Sequence, residues 1–339
     1  MGIGPKTAAL TALCWAAACG SRTPLLVPLG SGAFSDANPG FDAGPLPEGG
    51  LLGGAILFGG TAPSGDLGDT WVWDGRGWSQ LQVGGPSARH AAAMAPFGQG
   101  LVLFGGYDGT FLYADTWFWN GQGWQQVSTT GPVQRDGAGM ALWNGKVLLF
   151  GGYGGFDGGF TDLNDTWTWD GSSWSEVSTT GPAPRFQPAM ATLNGQLVLF
   201  GGLVSDQYAF ADTWTWDGSA WIESTAPGGP PARYGAVLAP LGANLVLFGG
   251  FDRNADIFND TWVWDGTTWA EVLVTGPPGR YDGVMAAFRG RLVMFGGVAG
   301  VGDAASNVLG DTWTWDGTSW TVLGSPGPTG RSAAAFGVP

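Results

Sequence analysis

The sequence predicts an all-β protein made of six copies of one structural repeat, arranged as a propeller or a solenoid. In each copy Phe-Gly-Gly ends a hydrophobic run, Asp-Thr-Trp follows, and then comes Trp-Asp-Gly-x-x-Trp, in which Asn120 replaces Asp in the second copy. The double glycines recur every 46 to 50 residues and begin at Gly59, Gly105, Gly151, Gly201, Gly249 and Gly296. A fixed period of this length is typical of repeat architectures and not of one irregular domain.

Each repeat is predicted to contain four short strands. In the second copy these are His90–Phe97, Leu101–Phe104, Asp115–Trp119 and Trp124–Val127. The double glycine lets the chain leave the second strand in a conformation that a side chain would block, and Asn-Gly or Asp-Gly indicates a turn before the fourth strand. Trp117 and Trp119 are two residues apart and share one sheet face, so we expect them to stack sheet against sheet.

The two ends of the repeat region predict a closed ring. The first copy starts directly at Ala55, without an arginine-led first strand before it, whereas the chain ends with such a strand, Arg331–Phe336, and no repeat after it. The C-terminal strand should therefore complete the first sheet as its innermost strand, leaving no exposed edge. Small residues dominate the first strands, as expected where six of them converge on one axis.

These motifs resemble the kelch repeat, which has a double glycine after a hydrophobic strand, then spaced aromatic residues, and an arginine that opens the next repeat. The resemblance covers residues 55–338, with Trp where many kelch repeats have Tyr in the third strand. Kelch proteins form β-propellers of four-stranded blades, so the resemblance implies a six-bladed kelch β-propeller closed by a C-terminal inner strand.

Residues 1–18 are predicted to be a signal peptide, 19–50 a flexible tether and 51–339 the propeller. Lys6 precedes an apolar run too short to span a bilayer, and the segment after it is rich in Gly, Pro and Ser. Cys19 lies in a sequence that resembles a bacterial lipobox, with Ala16 in place of the usual Leu. We expect lipidation of Cys19 and anchoring to the bacterial cell envelope. The alternative is ordinary signal-peptidase cleavage and secretion.

Composition restricts the partners and the chemistry. The net charge of −14 disfavours nucleic acid and anionic lipid surfaces as partners, so membrane contact is expected only through the lipid on Cys19. The two cysteines, Cys14 and Cys19, both precede the predicted propeller, which leaves it without disulfide or thiolate chemistry. We expect a monomer with no metal and no cofactor.

A Gly- and Asp-rich stretch, 157–165, could ligate calcium but matches no defined calcium loop.

The segment between Gly-Gly and Asp-Thr-Trp is the candidate binding site. It varies from 8 to 13 residues, while the spacings elsewhere in the repeat are nearly constant. Loops of varied length on a rigid scaffold are where binding usually resides, and their aromatic and acidic residues suit a glycan or a protein ligand. The predicted ligand-binding residues are Tyr107, Asp108, Tyr153, Phe251, Asp252 and Arg253. The alternative is that these rings pack the loops onto the blades.

Six arginines are expected to lie at the channel mouth on the same face. They are Arg89, Arg135, Arg185, Arg233, Arg280 and Arg331. Together they could hold an anion, or each could form a structural ion pair with an Asp-Thr-Trp aspartate.

A non-enzymatic binding protein of the cell envelope is the predicted function, with no catalytic residues. The galactose oxidase propeller is similar, but its copper site needs two histidines and a crosslinked cysteine, and His90 is the single histidine here. Copper radical oxidase activity is therefore excluded. One alternative is a sugar mutarotase or epimerase resembling periplasmic N-acetylneuraminate epimerase, using Asp136, Asp282 and the mouth arginines. Another is a protein-interaction scaffold without a small ligand.

Overall fold

A computed structural model describes residues 53–155, 159–178, 180–205, 207–252, 254, 256–300 and 307–339. The predicted signal peptide, the tether, Cys19 and Arg253 lie outside the described residues. Six antiparallel four-stranded sheets follow one another along the chain and form a six-bladed β-propeller. We number the blades 1–6 in chain order and call their strands inner, second, third and outer.

The strand bounds repeat from blade to blade. In that strand order, blade 1 contains Ala335–Gly337, Ala55–Phe58, Thr70–Trp73 and Trp78–Leu81. Blade 2 contains Ala93–Phe97, Gly100–Phe104, Thr116–Trp119 and Trp124–Ser128. Blade 3 contains Gly139–Trp143, Lys146–Gly154, Thr161–Trp169 and Trp174–Ser178, and Arg135–Asp136 also pairs with its second strand. Blade 4 contains Ala189–Leu193, Gln196–Phe200, Thr213–Trp216 and Trp221–Glu223.

The last two blades follow the same plan. Blade 5 contains Val237–Leu241, Asn244–Phe248, Thr261–Trp264 and Trp269–Val272, and blade 6 contains Val284–Phe288, Arg291–Phe295, Thr312–Trp315 and Trp320–Leu323. Two short hairpins extend from blades 1 and 4, formed by Thr61–Ala62 with Gly65–Asp66 and by Leu203–Val204 with Tyr208–Ala209. Within the described residues, no helix is long and apolar enough to span a bilayer.

Closure by the C-terminal strand is confirmed. The strand Ala335–Gly337 pairs antiparallel with Ala55–Phe58, with Leu57 opposite Phe336. Burial explains the sequence of the second strands: Ala55–Phe58 is fully buried, because each such strand lies between two neighbours of its own sheet and between two adjacent blades. A continuous apolar run is the pattern of a strand buried on both faces.

Adjacent blades are joined by a repeated hydrogen bond besides their apolar packing. The first tryptophan of each outer strand donates its indole Nε1–H to the threonine of the Asp-Thr-Trp triplet in the preceding blade, at 2.9 to 3.0 Å. The six pairs are Trp78–Thr312, Trp124–Thr70, Trp174–Thr116, Trp221–Thr166, Trp269–Thr213 and Trp320–Thr261. The pair between Trp78 and Thr312 joins blade 1 to blade 6, so the set runs completely around the ring.

The inner strands begin later than the sequence predicts. In blade 2 the expected start was His90, and the observed strand starts at Ala93. The cause is a residue with positive φ two positions after each arginine, such as Ala91 with φ of 52°, which interrupts the extended backbone. The same displacement moves the start of the C-terminal strand from Arg331 to Ala335.

These positive-φ residues form a closed circle around the propeller axis, which we call the axial ring. Each backbone N–H donates to the carbonyl of the equivalent residue in the preceding blade, over 2.7 to 3.3 Å. The ring consists of Ala91, Gly137, Gln187, Gly235, Asp282 and Ala333. Six hydrogen bonds thus connect all six blades at the axis, and Ala91 closes the circle by donating to Ala333 at 2.7 Å.

Candidate functional site

The six repeated arginines form structural ion pairs, as one of the two sequence interpretations proposed. Arg185 is representative: Nη1 and Nη2 donate to the two carboxylate oxygens of Asp212 at 2.6 and 2.9 Å. Nη1 also donates to the carbonyl of Gly201 at 2.9 Å, and Nε donates to the carbonyl of Ala183 at 2.9 Å. The other pairs are Arg89–Asp115, Arg135–Asp165, Arg233–Asp260, Arg280–Asp311 and Arg331–Asp69.

The arginines are inaccessible to an anion in solution. All six are at most 2% exposed. In three blades an aromatic ring also lies 3.7 to 3.8 Å from the guanidinium carbon, and the rings belong to Tyr113, Phe210 and Phe258. Tyr113 and Phe210 are variable-loop residues that therefore pack the loop onto its blade. Because they are paired and buried, the arginines are also unavailable to a substrate of the isomerase alternative.

Two concentric sets of side chains surround the channel mouth on the face that carries the variable loops, which we call the variable face. The residue after each arginine pairs with the residue after each double glycine in antiparallel register. The first set, the inner rim, is His90, Asp136, Phe186, Tyr234, Tyr281 and Ser332. The second set, the outer rim, is Tyr107, Tyr153, Leu203, Phe251, Val298 and Thr61.

Three of the six predicted site residues occupy equivalent places on the outer rim. Tyr107, Tyr153 and Phe251 pair with His90, Asp136 and Tyr234 respectively, and all three are half-buried. Phe251 also stacks on Tyr281 of the next blade, with ring centroids 5.1 Å apart and an interplanar angle of 29°. The structure thus brings these rings to one rim, in blades 2, 3 and 5.

The predicted carboxylates Asp108 and Asp252 are used inside their own loops. Asp108 Oδ1 accepts hydrogen bonds from the amides of Thr110 and Phe111, and Oδ2 accepts one from Tyr113 Oη at 2.6 Å. Burial raises the pKa of Asp108, but these hydrogen bonds outweigh it and hold the pKa below the ordinary value. Oδ1 of Asp252 likewise accepts hydrogen bonds from the backbone amides of Asn254 and Asp256. Both side chains organise loops.

Two other carboxyl groups, Asp136 and Asp282, lie at the axis. Burial raises the pKa of each to about 7. For Asp136 the negative charges of Asp282 and Asp162 add to the effect, and for Asp282 a hydrogen bond with the side chain of Gln187 acts against it. Both residues are half-buried, and Asp282 borders the channel at the axis. A carboxyl group in a cleft whose pKa is raised to near 7 is typical of functional sites.

His90, on the inner rim, also lies against a carboxylate. Its Nδ1 lies 2.8 Å from Oδ1 of Asp66, which is in the hairpin of blade 1, and its ring contacts Tyr107 edge-on at 5.5 Å. The residue is buried, and its backbone pairing with Tyr107 gives it the same place on the inner rim as Asp136, Phe186 and Tyr234 in their blades.

Three exposed aromatic side chains extend outward from the variable loops of consecutive blades. Phe111, Phe160 and Tyr208 are 65%, 41% and 52% exposed in blades 2, 3 and 4. The loops of blades 3 and 4 contact each other, because Asp162 accepts hydrogen bonds from the amide and hydroxyl of Ser205. These aromatic residues occur in the variable loops of the sequence, but only the structure separates them from Tyr113 and Phe210, which are half-buried and pack on arginines.

Metal chemistry has no candidate in the part of the chain that the structure describes, where no three His, Cys, Asp or Glu side chains cluster. Of the calcium stretch, Asp157 lies outside the described residues. Asp165 is bound to Arg135 and to the indole N–H of Trp167.

Comparison with known proteins agrees with the repeat architecture. The model of the KLHDC2/KLHL20/DRC7 Kelch-repeats domain matches residues 52–231, which is more than half of the 339 residues. No curated protein matches the sequence. The matched region covers all strands of blades 2, 3 and 4 and the three strands of blade 1 that precede them. The chain belongs to the kelch-repeat family.

Proposed function

We propose that this kelch propeller is a non-enzymatic binding protein that holds a protein ligand on its variable face, centred on the channel mouth. The observation that carries the proposal is the exposure of Phe111, Phe160 and Tyr208 on consecutive blades. Exposed aromatic residues that cluster on one face of a soluble domain are characteristic of interaction surfaces.

The outer rim supplies the second part of the proposed surface. Tyr107, Tyr153 and Phe251 are held in place by backbone pairing with the inner rim, so little side-chain entropy would be lost when a ligand covers them. Rigid aromatic side chains near the centre of an interface usually contribute most of its binding energy.

The proposed cellular location is the bacterial envelope, with the propeller attached through a lipid on Cys19 and the tether 19–50. A rigid binding body on a flexible tether reaches ligands over a distance that the tether length sets. A glycan is the alternative ligand, since aromatic platforms also suit sugars. The variable face would serve either ligand.

Peptide selection tests the proposal. A random peptide library displayed on phage is selected against the purified protein, and retained peptides are tested against the triple variant Tyr107→Ala, Tyr153→Ala, Phe251→Ala. We expect binding to weaken by at least about 30-fold, the equivalent of roughly 2 kcal/mol for a single anchor. The matched control replaces Val177, Ile222 and Val322 by Ala, which are exposed apolar residues of outer strands.

The outcomes separate the parts of the proposal. Peptides that bind the triple variant and the wild type equally would contradict the assignment of the face. Retention of sugars on a glycan array, with no peptide selected, would show that the ligand class is wrong. Melting of the triple variant at a much lower temperature than the control variant would show that the rings pack the loops.

A further inference from the structure

A cavity of about 180 Å³ lies at the axis, bordered by the axial ring and by the residue that follows each ring member. Glycine and alanine make up most of its wall. Among the described residues, Asp282 is its only charged lining side chain and Gln187 its only other polar one. A volume of this size has space for a few water molecules or for one small charged group.

The position of Asp282 depends on a missing side chain in the neighbouring blade. A Cβ atom on Gly235 would lie 2.6 Å from Oδ1 of Asp282, which is too close for real atoms. Gly235 therefore leaves the space that the carboxyl group occupies. The amide of Gln187, on the far side of Gly235 in the ring, supplies a neutral hydrogen bond to Asp282.

Asp136 is a second carboxyl group in this region, one residue before Gly137, which lines the cavity. It belongs to the inner rim. Its Oδ1 is inaccessible to solvent and has no hydrogen-bond partner in the described structure. The charge of Asp282 is near enough to raise the pKa of Asp136.

Neither carboxyl group is paired with a cation, in contrast to the arginine-bound aspartates. No Lys, Arg or His lies within ion-pair distance of Asp136 or Asp282 in the described ranges. Ionised carboxylates that are desolvated and unpaired oppose folding. Asp136 and Asp282 are two such groups near one axis, and Oδ1 of Asp136 is a buried acceptor without a partner. A cation supplied by a ligand would neutralise this negative charge.

The rim next to Asp282 is aromatic, which suits an organic cation. Tyr281 directly precedes Asp282 in the sequence and stacks on Phe251 at the rim. Aromatic faces stabilise ammonium and guanidinium groups that approach them.

We propose that the channel mouth binds the basic side chain of a protein ligand, a lysine or an arginine, with Asp282 and Asp136 as its counter-charges and the stacked rings of Tyr281 and Phe251 as its apolar wall. This inference rests on the proposed function, because it names the chemical group that the variable face recognises. It requires that the ligand place a flexible cationic side chain over the axis while its remaining residues contact the outer rim.

The experiment uses N-acetyl-lysine methylamide and N-acetyl-arginine methylamide as probes, with N-acetyl-norleucine methylamide as the neutral analogue. Binding to the purified protein is measured at pH 8 and low salt by saturation-transfer NMR titration. We expect the two cationic probes to bind and the norleucine probe not to bind. Asp282→Asn should weaken the binding of both cationic probes by about tenfold or more, the usual loss for a charge-assisted hydrogen bond.

The control variant is Asp256→Asn, which removes the same charge from an exposed loop position of the same face. Its affinity for the cationic probes should stay within about twofold of the wild type, since exposed charges are screened. Equal binding to Asp282→Asn and wild type, equal binding of norleucine, or equal losses in both variants would each overturn the inference.

The phage-selected peptides separate failure of this inference from failure of the proposed function. If selected peptides lose binding in the triple aromatic variant but contain no required basic residue and ignore Asp282→Asn, the function stands and the inference is wrong. If a single Lys→Gln or Arg→Gln change in those peptides reproduces the effect of Asp282→Asn, the inference is supported.

Discussion

The fold contains two kinds of buried charged side chain, the arginines that are paired with aspartates and the aspartates that have no cationic partner. Each repeated arginine has its guanidinium donors satisfied by one aspartate, one glycine carbonyl and one carbonyl two residues earlier, as in Arg185. A buried ion pair stabilises a fold only when hydrogen bonds satisfy both partners in this way. Within the described chain, no cationic side chain pairs with Asp136 or Asp282. At the scale of the residue, the first kind serves the fold and the second opposes it.

Replacing Asp282 should therefore stabilise the protein at alkaline pH. The folded-state pKa of Asp282, about 7, exceeds the ordinary aspartate value of 3.8 because the carboxyl group is buried. Below about pH 4 both states are protonated and Asp282 has no effect on stability. As pH rises from 4 to 7, the unfolded state releases its proton first, so the free energy of unfolding falls, and the full penalty is present above pH 7. Asp282→Asn removes that penalty.

Urea unfolding at pH 4 and at pH 8 measures this difference. We expect Asp282→Asn to gain on the order of 2 kcal/mol over the wild type at pH 8, after allowance for water in the channel, and almost nothing at pH 4. Asp256→Asn is the control for a general change in net charge. An equal gain at both pH values would contradict the assigned pKa.

At the scale of the element, two of the three sets of repeated tryptophans are held in different ways. The second tryptophan of each third strand is buried between blades, and in blades 2, 4 and 5 its indole nitrogen has no hydrogen-bond partner among the described atoms: Trp119, Trp216 and Trp264. The tryptophan that opens each outer strand instead donates to a threonine of the preceding blade. Packing fixes the first set, whereas a directed contact between blades fixes the second.

Removing one acceptor of this contact tests its contribution. Thr116→Val keeps the side-chain volume but leaves the buried indole N–H of Trp174, now 2.9 Å from Thr116 Oγ1, without a partner. We expect a loss of about 1–3 kcal/mol in the free energy of unfolding, measured by urea denaturation. The double variant Thr116→Val, Trp174→Phe completes a thermodynamic cycle. A coupling energy near zero would show that the hydrogen bond contributes nothing.

The strand plan could be predicted from the sequence because every blade repeats the same burial pattern. The run Leu101–Phe104 is buried on both faces, and its continuous apolar sequence indicates this. The axial ring could not be predicted, since Ala91 and Gln187 adopt positive φ without being glycine. Only Gly137 and Gly235 at equivalent positions indicated a special backbone there, and the interrupted inner strands follow from it.

The candidate site was predicted only in part, for a similar reason. Loop-length variation identified the variable face and placed Tyr107, Tyr153 and Phe251 on it. It did not distinguish the rim residues from the loop-organising ones, because Asp108 and Asp252 differ from exposed carboxylates only through hydrogen bonds to amides two to four residues away. Such contacts depend on loop conformation, which residue type alone does not determine.

At the scale of the whole molecule, the predicted lipid anchor would keep the variable face at a bacterial membrane. If Cys19 carries a lipid, the protein should fractionate with membranes and incorporate labelled palmitate when expressed in a bacterium with lipoprotein processing. Cys19→Ser should move it to the soluble fraction, because acyl chains supply the membrane affinity. Cys14→Ser is the matched control and should leave fractionation unchanged. Wild-type protein found wholly soluble and unlabelled would contradict the anchor.

Closure of the ring makes blade 1 depend on residues more than two hundred positions away along the chain. The C-terminal segment supplies an inner strand, an axial-ring member in Ala333, and the ion pair of Arg331 with Asp69 at 2.5 Å. Deleting residues 330–339 should therefore remove all three at once and expose the edge of Ala55–Phe58, an unpaired apolar strand.

We expect this deletion to lower the melting temperature, broaden the transition and promote aggregation, as followed by circular dichroism and light scattering. Arg331→Met separates the ion pair from the strand: it should destabilise less than the deletion, because the inner strand and the axial ring persist while only Asp69 loses its partner. Arg76→Met, at an exposed turn of the same blade, controls for the loss of one positive charge. A deleted protein that melts like the wild type would mean that the axial ring and the remaining five blades hold blade 1 in place without its inner strand.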